Sequence, residues 1–235
     1  MKFHLQKHWI RVGIITLASI GAASIAACSQ APYQQAMTTS SHASMAASQT
    51  SVVSSQAKSL VASLKQLAGA TGDLQKPYAD FTQSLGNFKS GYSSLKSDLS
   101  AMLSDQKGYL ATWNKENNTI QDASIKKVAI GRYDAAANDY ASVKKAADSV
   151  TTAGDSFVTF MDDLNTYLAT DLNAGGIASG APLISKAQTK ASSLEAKLAQ
   201  LKASVKKVAS DFAASGKGSA VQAAPAAGKK SSWWW

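Results

Sequence analysis

The chain is poor in the side chains that carry covalent, metal or acid–base chemistry. Its 235 residues include one cysteine and three histidines, and Glu occurs only at Glu116 and Glu195. A lone Cys28 excludes an intramolecular disulfide and any cysteine-rich metal site. His4 and His8 fall in a basic N-terminal segment that reads as removable, which leaves His42 alone. Zinc sites and Cys-His or Ser-His-Asp arrangements therefore lack parts. The Glu-x-x-His pairs that hold two irons inside helical bundles are absent as well. We expect no metal, no cofactor and no enzymatic activity. Proline is scarce too: 4 Pro beside 15 Gly, in a background of Ala, Ser and Lys, favours helix over sheet.

What is present begins at the N-terminus. Residues 1–11 are basic, residues 12–27 are apolar or small without a charge, and Ile25-Ala26-Ala27-Cys28 ends the run. This is the anatomy of a secretory signal, and the apolar run falls short of the roughly 20 residues that a spanning helix needs. The last four residues resemble the lipobox of bacterial lipoprotein precursors. That resemblance implies that Cys28 becomes the mature N-terminus and carries acyl chains, a nearly permanent membrane anchor at about 0.8 kcal/mol per buried methylene. It also implies, through Ser29 where an Asp would signal inner-membrane retention, the periplasmic face of the outer membrane. Residues 28–41 are polar and small, with Pro32, and read as a tether.

Four apolar seams follow, each at steps of four and three. The first runs Ala43, Ala46, Thr50, Val53, Ala57, Leu60, Leu64, Leu67, and its first half has so few large side chains that fraying is expected there. The second holds most aromatics, from Leu74, Tyr78 and Phe81 through Gln106, Tyr109 and Trp113 to Glu116 and Ile120. The third spans Ala129 to Leu168, and the fourth Ile184 to Phe212. Gly69 to Asp73 marks one turn, Glu116 to Ser124 a second, and Leu172 to Pro182 a third, with Asp73 and Asp122 or Ser124 as helix caps. Helices this long, joined by short turns, predict an all-α fold: an elongated antiparallel four-helix bundle with coiled-coil-like heptad seams over residues 42–214. Gln106 in a seam is a candidate for setting register. Glu116 either pairs with Lys126 or Lys127 or is solvated, and the second is favoured near a helix end.

Residues 215–235 lack a seam, end in Trp233-Trp234-Trp235 and are expected to be a disordered basic tail. The formal charge is +9, from 24 Lys and Arg against 15 Asp and Glu. Lys202, Lys206 and Lys207 on the fourth helix, with Lys229, Lys230, Trp233, Trp234 and Trp235 in the tail, are candidate contacts for an anionic surface, since indole and ammonium groups both favour a membrane interface. Nucleic acid is not expected as a partner, because export separates it from the chain and no aromatics interleave the lysines.

Particular residues also resemble a family of bacterial proteins catalogued as a domain of unknown function. A W-x-x-E pair falls on Trp113 and Glu116, an I-[RK]-[RK] step on Ile125-Lys126-Lys127 with a later Tyr at Tyr140, a closing L-x-x-x-L-N-A on Leu168, Leu172, Asn173 and Ala174 with Ile177, and a G-D-L-x-x-x-Y step on Gly72-Asp73-Leu74 with Tyr78. The resemblance covers about residues 33–212. It departs at Gly175-Gly176 and at Ala135 to Ala137, where the family is polar or charged. It implies a long helical, coiled-coil-rich protein with a lipoprotein-type signal, and it implies no activity. The combined expectation is a non-enzymatic envelope lipoprotein, held to membrane by Cys28 and serving as a scaffold for a protein partner or a second copy. The alternative is a binding module for anionic polymer or lipid.

Overall fold

The computed structural model describes the backbone of residues 32–217 and the side chains of residues 38–211. Cys28, Lys229, Lys230 and Trp233 to Trp235, together with the expected signal segment, lie outside the described residues. Five helices follow in order: α1 (Pro32–Ala68), α2 (Gln75–Asn117), α3 (Ala123–Thr170), the short α4 (Ala174–Ser179) and α5 (Ala181–Lys217). No strand occurs among the described residues. The fold is an all-α bundle in which α1 packs on α2 and α5, and α3 packs on the same two. The four long helices thus stand at the corners of a square, each antiparallel to its chain neighbour. At 1.5 Å per residue they run from about 55 to about 70 Å.

The seams account for the core. All eight residues of the first seam are buried. In α3 the seam is fully buried from Val143 to Leu168, whereas Ala129, Tyr133, Ala136 and Tyr140 are half-buried. Large side chains concentrate toward one end, where Phe88 meets Phe157 edge to face at 5.2 Å and stacks parallel to Tyr92 at 6.0 Å. Toward the other end the core narrows to Ala43, Ala46 and Ala47. This half of α1 remains helical and packed, contrary to the expected fraying. Alanine there lets the helices close in, and Ser40 Oγ reaches the Ala209 carbonyl of α5 at 3.4 Å.

Two boundaries differ from the sequence expectation. The helix begins at Pro32, inside the segment read as a tether to residue 41, and Thr39 is already buried in the bundle. Proline is tolerated in a first helical turn, and the small residues after it carry no helix-breaking signal once a neighbour supports them. At the other end α5 continues to Lys217, past the boundary drawn at residue 214.

Candidate interaction surfaces

The described residues line several clefts along the faces of the bundle. Among them, no group of three or more His, Cys, Asp or Glu is placed to hold a metal ion, and no helix is long and apolar enough to cross a membrane. His42 Nδ1 instead meets Asp105 Oδ2, tying α1 to α2.

One end of the bundle gathers several unusual features. It is the end where α1 begins, where α2 turns into α3 through residues 118–122, and where α5 finishes. The turn forms because Asp122 caps α3: its carboxylate accepts from the amides of Ser124 at 2.8 Å and Ile125 at 3.0 Å. These contacts, the Ser124 hydroxyl foremost, hold the Asp122 carboxyl below the usual carboxylate range. Asn117 closes the hairpin from the other side, its side-chain amide donating to the Ala129 carbonyl at 3.5 Å. Asn117, rather than Glu116, is the buried polar residue here; Glu116 is exposed and makes no ion pair with Lys126 or Lys127.

Beyond the cap, Ile125, Val128 and Ile130 are 60%, 65% and 42% exposed, and among the described residues the other large exposed apolar side chains are Met45 and Val52. Just behind them sits an aromatic group: Trp113 packs on Tyr109 at 5.4 Å and edge-on to Tyr133 at 6.1 Å. Trp113, Tyr109 and Arg132 also line a cleft of about 260 Å³ whose far wall is Asp139, Lys207 and Asp211. The exposed aliphatics were legible in sequence as large apolar residues off the seam, but the seam reading passed over them.

The basic face expected of the fourth helix divides. Lys207 turns to α3 and bonds Asp139 at 2.7 Å and Asp211 at 2.9 Å, which raises its proton affinity above that of a free lysine. Lys202 lines a groove against α1 whose other end holds Glu195, the partner of Lys58 at 3.7 Å, and Lys206 is exposed. Lys202 and Lys206 stand one helical turn apart on α5, while Lys207 is drawn into the ion pairs with Asp139 and Asp211. A second, open groove between α3 and α5 is lined by Lys144, Lys145 and Lys197, with Asp148 paired to Lys144, among the hydroxyls of Ser149, Thr152 and Ser193. Next to it Lys190 reaches Ser156 Oγ at 2.8 Å and, with Lys186, lies over the Phe160 ring.

Gln106 is the other polar residue singled out in a seam. It is 1% exposed, and neither its amide nitrogen nor its carbonyl oxygen has a hydrogen-bond partner.

No protein-family model, no curated protein and no solved structure matches the chain. The likeness to a family of helical envelope proteins therefore rests on the residues quoted for it.

Proposed function

We propose that the protein is a non-enzymatic bacterial envelope lipoprotein, fixed to the membrane through Cys28 and using its helical bundle as a spacer and interaction scaffold for a protein partner or a second copy. What supports this reading is the short stretch of sequence between Cys28 and the start of α1. Cys28 lies four positions before Pro32, where α1 begins. At most about 14 Å of chain therefore joins the two, and an acylated Cys28 would couple a rigid body to the bilayer without a long tether. The periplasmic face of the outer membrane is the proposed location, by the Ser29 analogy. The test is incorporation of radiolabelled palmitate with membrane fractionation, comparing wild type with Cys28→Ala. Label and membrane association should disappear together in the variant. A wild-type chain that takes no label and fractionates away from membranes would overturn the anchor.

A second reading, binding of an anionic envelope polymer, is favoured by the α3–α5 groove with Lys145 and Lys197 rather than by Lys202, Lys206 and Lys207. In this reading Lys145→Glu with Lys197→Glu weakens binding to such a polymer and flattens its salt dependence. Equal binding by the double variant would remove it.

A further inference from the structure

We propose that the α2–α3 turn and the first two turns of α3 form a lipid-contacting surface that enters the headgroup layer of an anionic bilayer. The proposal rests on the anchored reading for its orientation, and on its own geometry for the contact. Three observations meet at this end.

The first is exposure. Ile125 and Val128 are mostly in water and Ile130 is 42% exposed; Val128 and Ile130 lie off the seam that α3 turns to its neighbours, and Ile125 lies at its edge, one turn before Ala129. Ile125 and Val128 sit on one flank of that seam and Ile130 on the other, by the 100° step of a helix. One neighbouring helix could not cover both flanks. A layer that receives the end of the bundle could. The three lie within about 11 Å of the start of α3 along its axis, comparable with the roughly 5–10 Å that interfacial apolar groups reach into a bilayer.

The second is charge. Lys115, Lys126, Lys127 and Arg132 flank these aliphatics in sequence, against the carboxylates Glu116, Asp122 and Asp134, so residues 115–134 are net positive by one. Each lysine near an anionic surface strengthens attachment about fivefold. Behind them Trp113 and Tyr133 stand where interfacial aromatics belong, between apolar tip and polar body.

The third is topology. His42 of α1 is level with Asp105 of α2, ten residues after Pro32 and twelve before Asn117. The start of α1 and the α2–α3 turn are thus at nearly one height. Whatever holds residues just before Pro32 at a membrane brings this apolar, basic tip to the same membrane.

The experiment places a single cysteine at Ile125, Val128 or, as control, Val52, which is also exposed but lies mid-bundle on α1. An acylated Cys28 has no free thiol, so an environment-sensitive maleimide dye reports only the introduced site. In membranes, emission from positions 125 and 128 should shift to the blue and lose its quenching by aqueous iodide, while position 52 remains quenched. If 125 and 128 quench like 52 in a chain that carries acyl label, the surface is overturned and the anchor stands. Shielding of 125 that persists without lipid would mean a second copy covers the tip, and would also overturn it. If Cys28 takes no label, the anchored reading fails. The surface is then decided by adding the wild-type chain to vesicles of phosphatidylglycerol and phosphatidylcholine. Binding lost on Ile125→Asp with Val128→Asp, and weakened about fivefold by Lys126→Ala, supports the surface. Binding indifferent to these changes overturns it. Ile125, Val128 and Val52 are exposed and Lys126 is half-buried in the first turn of α3, so unchanged helical circular dichroism is expected throughout.

Discussion

Gly154 occupies a buried seam position on α3 where every neighbouring seam residue carries a side chain. The space is taken by Tyr92 of α2: a Cβ on Gly154 would lie 2.4 Å from the Tyr92 ring. The ring comes this close because its hydroxyl lies 2.8 Å from the Thr151 carbonyl and 2.9 Å from Asp155 Oδ1, so it spans the α2–α3 seam and can donate to either. Gly154→Ala should therefore destabilise the bundle by about 1–3 kcal/mol, since an inserted methyl must displace a ring held at both ends. Urea unfolding measures this, and Tyr92→Leu in the same chain should recover part of the loss, which independent sites would not do. Gln106 predicts the opposite sign. Its buried amide has no partner, so Gln106→Leu should raise the urea midpoint, by about 1–3 kcal/mol in stability. A lower midpoint would show that the amide is satisfied in solution. The sequence displayed both residues as seam positions. It did not display what faces each, because the helical period fixes a residue's own face and leaves cross-helix register open. Gly176 is similar: where the resembled family carries a side chain, a Cβ here would meet the Asp171 carbonyl at 2.1 Å.

At the scale of elements, the turns were more legible than the helix starts. Gly69 to Asp73, Asp122, and Gly180 with Pro182 each punctuate the chain by known backbone chemistry. Asp122 rather than Ser124 is the cap, while Asp73 accepts the Gln75 amide at 2.9 Å and leaves Leu74 in the cap position. The short α4 was invisible because six residues with two glycines are too few to show a period. The start of α1 was misplaced for another reason: alanine favours a helix while serine and threonine disfavour it, and contact with α2 and α5 decides the mixed segment. The Asp122 cap carries a prediction with a definite sign. Its folded-state carboxyl is held below the ordinary Asp value, first by the Ser124 hydroxyl. Its contribution is therefore complete above that value and is lost as pH falls through the lower, folded-state value. At neutral pH, Asp122→Ala should reproduce the acid state, with faster hydrogen exchange at the amides of Ser124 and Ile125 and no change around Phe157. Unchanged exchange at those two amides would mean that the hairpin, through Asn117 and Ala129, holds the turn without the cap.

The whole molecule is asymmetric along its length. Phe81, Phe88 and Phe157 fill the core toward the end that carries the α1–α2 turn and α4, while alanines and the unpartnered Gln106 lie toward the end that carries the exposed aliphatics. The well-packed end has its turn at residues 69–74, about 60 Å from the α2–α3 turn along α2. An anchor just ahead of Pro32 gives that asymmetry a direction, with the alanine-lined, basic, apolar end at the bilayer and the aromatic-packed end held away from it. Energy transfer from a dye on Thr71→Cys to an acceptor in the lipid headgroups measures the result. Thr71 is exposed, so the label is tolerated. Strong transfer from position 125 with little from position 71 means that the bundle stands upright, and a partner would be met about 60 Å from the membrane. Comparable transfer from both positions means that the bundle lies along the surface. In that case the lysines of the α3–α5 groove would be positioned against lipid, and the spacer function would fall even if the anchor were established.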